Sequence, residues 1–293
     1  MMKYRISHQT RYQYAEPVSL CHSVVHLKPR QGPYQRCLLS QLRVDPWPAV
    51  NREHEDFFGN RVNYFSIQQP HEALAVTAVS EVEVMRPNIP DLSRTPAWER
   101  VRDLLGDREH PRLATKQVFT LPSPQIPLDA AARAFAADSF TPGRPLLEAT
   151  CDLMARIYTE FAYDPHFTTI ATPIAEVMEH RRGVCQDFAH IAIAGLRGLG
   201  LAARYVSGYL ETLPPPGQAK LQGSDASHAW FAVLVPELGW VDFDPTNNLI
   251  PGEQHITTAL GRDFHDVTPM RGIFYGGGSH ELTVAVDVNR VEG

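Results

Sequence analysis

Two hydrophobic rhythms divide this chain. In YRISHQTRYQY (4–14), Tyr4, Ile6, His8, Thr10, Tyr12 and Tyr14 share one parity, and Arg5, Ser7, Gln9, Arg11 and Gln13 share the other. A period of two is that of a half-buried strand, because successive side chains point to opposite faces. CLLSQLRV (37–44) and LAVTAVSEVEVM (74–85) behave similarly, and Gly59-Asn60 between apolar runs predicts a hairpin turn. Short strands with polar turns over residues 1–86 predict a small all-β sandwich. Pro87, Pro90, Pro96, Pro111, Pro122, Pro124 and Pro127 then break any long element, apart from a short helix in WERVRDLLG (98–106). The expected division is a β-sandwich with its Pro-rich connector over 1–115 and a second domain over 116–293.

The second rhythm is helical. LDAAARAFAADSF (128–140) starts near Asp129, a good cap. LLEATCDLMARIYTEFAY (146–163) sets Leu146, Leu147, Thr150, Leu153, Met154, Ile157, Tyr158 and Phe161 at the spacing of an amphipathic helix. Thr172-Pro173, followed by Ala175 and Glu176, predicts N-cap, N1 proline and acidic first turn of a short helix ending near Gly183. DFAHIAIAGLRGLGL, after Cys185, is apolar nearly all round and predicts a buried central helix stopped by Gly198 and Gly200. ARYVSGYL (203–210), HAWFAVLV (228–235), WVDFDPT (240–246) and HELTVAVDV (280–288) read as strands, the middle two joined by a turn at Pro236–Gly239. Helices followed by an antiparallel sheet define an α+β domain.

Composition narrows the function classes. Hydrophobic residues make up 43% and charged residues 20% of 293, an ordinary globular balance. A net charge of −6, with no basic stripe, speaks against a nucleic-acid partner. The polar start MMKYRISHQTRYQY has no secretory h-region, and no run of 18 apolar residues predicts a membrane span. The expected compartment is the cytoplasm, with reduced thiols. Cys21, Cys37, Cys151 and Cys185 form no CxxC pair, and no metal or cofactor site is expected.

One cysteine stands apart. In RRGVCQDFAH (181–190), Cys185 opens the buried helix. A helix N-terminus favours a thiolate, and its unpaired N–H groups also suit a tetrahedral oxyanion. Thiol catalysis further needs a base and a carboxylate that orients it. Of thirteen histidines, His228 follows the polar stretch GSDAS (223–227) and opens an apolar strand. Asp242 and Asp244 sit in the next strand, where a buried carboxylate needs a partner. A tight turn at Glu237-Leu238 would set Val235 opposite Trp240, put Asp244 against Phe231 and point His228 to the other face. A bulge or a longer loop would correct that parity, and the Asp must then lie where the strands splay. Cys21, Cys37 and Cys151 read as packing residues, and His190 as a packed, hydrogen-bonded one. Asp187, in the first helical turn, reads as a cap or a partner of Arg182.

GVCQDFAH and SHAWFAVLVPELGWVDFDPTNN resemble the transglutaminase-like superfamily, specifically a bacterial branch often described as cysteine proteases. YRISHQTRYQYAEPVSLCHSVVHLKPR and DFFGNRVNYFSI look like the N-terminal β-domain of that branch, and GRDFHDVTPMRGIFYGGGSHELTVAV like its C-terminal end. The resemblance covers nearly the whole chain. It implies a papain/transglutaminase-like core of helices packed on an antiparallel sheet. It assigns Cys185 as nucleophile and His228 as general base and acid. The aspartate before Pro245-Thr246 is the third member, which selects Asp244 over Asp242. Tyr163 and Gln186 become candidate oxyanion donors beside the Cys185 N–H, with Asp187 behind them. The implied reaction is cleavage of a peptide or protein amide through a thioester, without a cofactor. Protein-glutamine transamidation and a non-catalytic peptide-binding module are the alternatives.

Overall fold

The computed structural model describes residues 1–86, 91–107, 113–212, 227–236 and 238–291. Pro87, Pro90, Pro111, residues 223–226 and the expected turn residue Glu237 lie outside them. In chain order the elements are β1 (Met2–Val25), β2 (Gln35–Asp45), β3 (Val50–Glu55), β4 (Arg61–Ile67), β5 (His71–Val84), α1 (Trp98–Gly106), α2 (Ala130–Ala137), α3 (Leu146–Glu160), β6 (Ala162–Tyr163), α4 (Ile174–His180), β7 (Arg182–Gly183), α5 (Cys185–Gly198), β8 (Ala203–Leu210), β9 (Ser227–Val235), β10 (Gly239–Phe243), β11 (His255–Gly261), α6 (Phe264–Val267), β12 (Met270–Gly276) and β13 (His280–Arg290). No helix among the described residues is long and apolar enough to cross a membrane.

β1 is the spine of a seven-stranded antiparallel sheet. β5 and β13 pair with its first half, and β4 and β12 with its second. β2 and β3 extend the sheet beyond β5 and β4. The ladders shift register around Gln13–Val18, where Pro17 has no N–H to offer. The facing Gly276, Gly277 and Gly278 all have positive φ. A side chain at Gly276 would put its Cβ 2.7 Å from the Pro17 carbonyl oxygen. The two halves share one apolar cluster, in which Val44, Leu74 and Val76 meet Cys21, Val25, Phe65 and Ile67. Both layers of the β-domain are therefore cut from one sheet that bends within β1. β12 and β13 lie inside the span 116–293, yet their hydrogen bonds are to β1. The pairing continues the β1 parity: Val288, Val286, Val284 and Leu282 face Ile6, His8, Thr10 and Tyr12.

The second sheet runs β10-β9-β8-β11 and carries α5 on one face. α5 is buried on nearly every side, in accord with its apolar sequence. Gly195 lets α2 approach, since a Cβ there would lie 2.6 Å from that of Ala136. Two of the boundaries that differ from the periodicity reading bear on the site. α3 stops at Glu160, because Phe161 turns extended and packs between Phe135 and Phe188. α4 begins one residue late, with Pro173 rather than Thr172 in the cap position.

The outer edge of β11 is closed by two amide side chains from the β-domain. Gln35 accepts from Thr257 N–H at 2.8 Å and donates to its carbonyl at 2.7 Å. Asn60 does the same at Leu260, with both contacts at 2.8 Å. Each amide stands in for a strand residue, so the edge needs no further strand at these positions. Asn60 is fully buried, and its remaining capacity is taken by Asp56 and Arg30. Asn60→Ala leaves both part-buried Leu260 backbone groups without that partner. The expected loss of unfolding free energy is about 1–3 kcal/mol, read from the midpoint of a urea titration.

Candidate active site

The site forms where α5, the β9–β10 hairpin and β11 meet. Cys185 is the first residue of α5 and is partly exposed. Asp187 organises the turn before it. Its Oδ2 accepts from Val184 N–H and from Thr168 Oγ1–H, both at 2.8 Å. Burial pushes the Asp187 carboxyl up, against the pull of these two hydrogen bonds. Gly183 is required beside it, since a Cβ there would lie 2.8 Å from both Cβ and Oδ2 of Asp187. Arg182 lies 4.0 Å from Asp164 instead.

The hairpin answers the parity question. Gly239 pairs with Val235 and Phe243 with Phe231, so three residues of sequence separate the paired ends. The longer loop shifts the register by one and brings Asp244 to the side of His228. Asp244 lies just past β10, in a turn closed by its own N–H to the Leu249 carbonyl at 2.9 Å. This is the splay that the offset along the hairpin demanded. His228 Nε2 is 2.7 Å from Asp244 Oδ2. That leaves Nδ1 as the ring nitrogen free to face Cys185, whose side chain adjoins this imidazole closely enough to raise it. Asp242 shares that face farther along β10, where it accepts from Trp230 Nε1–H at 3.1 Å with Arg86 at 3.9 Å.

Asp244 is wholly buried and saturated with donors. Oδ1 accepts from the N–H groups of Thr246 and Asn247 at 3.0 and 3.3 Å. Oδ2 accepts from Asn247 Nδ2–H at 2.8 Å and also meets His255 Nε2 at 3.0 Å. Burial alone would push the Asp244 carboxyl up. The hydrogen bonds from His228 and His255, the His228 charge and Asn247 overcome this and hold it well below the carboxylate range. Burial likewise pulls His228 down, but its bonds to Asp244 and Cys185, and their charges, raise it to about 10. The contacts therefore favour an imidazolium between the Asp244 carboxylate and the Cys185 sulfur.

The remaining sequence candidates are distributed around this centre. β6 runs parallel to β7 and pairs Tyr163 with Gly183, two residues before Cys185. The Tyr163 ring is largely exposed and edge-on to Phe188, and burial of its hydroxyl end, with the Cys185 charge, raises the phenol. Gln186 donates to the Ile170 carbonyl at 3.4 Å. His190 is buried, accepts from Phe264 N–H at 3.2 Å, and is lowered to about 4 by burial. Neither His255 nor Asn247 stood out in the sequence. The available signal was that His255 opens an apolar strand just as His228 does. The ligand atoms of His228, Asp244 and His255 lie within 4.8 Å of one another, a set that could hold a metal ion. The hydrogen bonds just described use those same atoms.

The chain belongs to the transglutaminase-like superfamily. Residues 133–245 match the transglutaminase-like superfamily core, and residues 4–83 match the bacterial transglutaminase-like N-terminal region. An uncharacterized protein of Mycobacterium tuberculosis is 42% identical, over 99% of this chain and 94% of its own. A protein-glutamine gamma-glutamyltransferase of Pseudomonas aeruginosa is 31% identical over 121 residues, covering 38% of this chain and 18% of that one. The crystal structure of a proposed cysteine protease from Cytophaga hutchinsonii superimposes with a TM-score of 0.77. That pair is 22% identical over 100% of this chain and 91% of the other, a likeness of fold.

The two shifts give opposite pH limits. His228, raised from 6.5 to about 10, contributes stability that is complete below 6.5 and lost as pH rises through 10. Asp244, held below its ordinary 3.8, contributes stability that is complete above that value and lost on further acidification. In urea titrations, the stability gap between wild type and His228→Ala should be widest between pH 3.8 and 6.5. It should narrow toward pH 10.

Proposed function

We propose that this protein is a thiol-dependent acyl-transfer enzyme that hydrolyses a peptide or protein amide bond. The observation that carries the reading is the 2.7 Å contact of His228 with the buried Asp244, with Cys185 set beside the same imidazole at the head of α5. In the proposed cycle, the Cys185 thiolate, its proton resident on His228, attacks the amide carbonyl carbon and the carbonyl oxygen becomes an oxyanion. The Cys185 backbone N–H, with no intrahelical acceptor at a first helical position, supports that charge. The Tyr163 hydroxyl is the second donor favoured by its place beside β7. His228 gives its proton to the amine as the C–N bond breaks, leaving a thioester. Water then adds as His228 takes its proton, the C–S bond breaks, and the product leaves as a carboxylic acid. Asp244 stays ionised and orients the ring throughout.

Transamidation uses the same thioester, with an amine in place of water. The Pseudomonas relative named as a protein-glutamine gamma-glutamyltransferase supports keeping this second reading. The partial exposure of Cys185 favours water as the acceptor.

The deciding measurement is iodoacetamide labelling of Cys185 against pH, read by mass spectrometry. Wild type should label faster than model thiols below about pH 7, where an unperturbed thiol is mostly protonated. His228→Ala should lose that acid limb. An ordinary thiol profile in both would sink the reading and favour a peptide-binding module. On a peptide substrate, Cys185→Ala should abolish turnover. Asp244→Asn should lower kcat by roughly 10³–10⁴. A primary amine supplied with a glutamine peptide separates the two acceptors by the mass of the product.

A further inference from the structure

Asp244 serves two histidines, and only one of them faces the thiol. His255 opens β11, is 1% exposed, and places Nε2 3.0 Å from the same Oδ2 that His228 meets at 2.7 Å. Its ring stands edge-on to Trp230 at 5.2 Å, and Trp230 is itself tied to Asp242. β11 is gripped on its outer edge by Gln35 and Asn60. His255 thus approaches the carboxylate from a strand braced on both sides.

The protonation of this ring follows from its contacts. A carboxylate oxygen can only accept, so Nε2 must carry the hydrogen. Nδ1 of His255 is buried with no hydrogen-bond partner among the described residues. A second N–H there would be buried and unsatisfied, whereas a bare lone pair is less costly. The charged or titratable groups set against His255 are Asp244, His228 and Arg86. Burial is the main influence on the ring and, with the two cations, outweighs Asp244 and keeps it neutral. The two histidines therefore divide the work: His228 takes the charge, and His255 donates without one.

Turn amides hold only Oδ1, and Asn247 reaches Oδ2 from the same turn. Besides His228 itself, His255 is the donor to Oδ2 that comes from a separate strand. We propose that His255 is a positioning residue: a neutral, Nε2-protonated imidazole on β11 that aims the Asp244 carboxylate at His228. This rests on the reading of Cys185, His228 and Asp244 as the reacting set.

The test compares full-length wild type, His255→Gln and His255→Phe, each labelled with ¹⁵N-histidine, by imidazole NMR at pH 7. Gln presents an N–H near the position of Nε2, while Phe fills the space without a donor. Thermal melts establish that each variant is folded. Wild type should show His255 as the neutral Nε2–H tautomer, and an exchange-protected proton between His228 and Asp244. That protected proton should persist in His255→Gln and disappear in His255→Phe. Cys185 alkylation at pH 6 should fall about tenfold in His255→Phe, as expected for a misplaced catalytic group, and recover in His255→Gln. A protected His228 proton in folded His255→Phe would overturn the proposal. Equal loss in both folded variants would do the same, as would a protonated Nδ1 on His255 in wild type. If wild-type Cys185 shows no acid limb while the His228 proton follows the Gln/Phe pattern, the proposed reaction fails and the positioning role is supported.

Discussion

A fully buried carboxylate is the constraint around which this site is arranged. Asp244 can stay ionised away from water only if donors replace its hydration shell. The structure supplies two backbone amides, one side-chain amide and two imidazoles. They come from two strands and a turn, so the ionised Asp244 is a property of the assembled sheet. Its charge and the Cys185 sulfur then hold His228 in the protonated form. Helix and sheet meet at that imidazole.

The β-domain bears on this centre through the sheet edge. Gln35 and Asn60 occupy the hydrogen-bonding positions of a missing strand along β11. β11 begins with His255, which reaches Asp244. Further along the junction, Tyr4 and Arg290 share the buried Glu211, and His8 bonds Tyr209. The N-terminal and C-terminal strands therefore both meet the end of β8. Polar contacts of this kind specify relative placement, because each buried group left unmatched is penalised.

Much of the architecture was legible because periodicity is local. β8 spans the predicted residues 203–210, and α1 the predicted 98–106. The apolar-all-round run after Cys185 is the buried α5, since a helix without a polar face must be enclosed. Asp129 caps α2 by accepting from Ala132 N–H at 2.7 Å. Where the reading missed, a distant contact prevailed. α3 ends early because Phe161 is drawn between two other rings, and Tyr163 leaves the helix for β6. β13 keeps its predicted alternation but joins β1, because strand parity does not name a partner.

The residues that meet at the site divide in the same way. From the sequence alone came a cysteine at the head of a buried helix, a histidine at a strand entrance and an aspartate beyond its partner strand. Those placements depend on patterns a few residues long. The sequence left the hairpin parity open, because a two-residue and a three-residue turn put Asp244 on opposite faces. It was silent on His255, whose strand pairs with one made 45 or more residues earlier in the chain. The turn length, the second histidine and the amide clasp on β11 belong to tertiary structure. Each depends on which buried donors and acceptors meet, and that is settled only when the sheets close on one another.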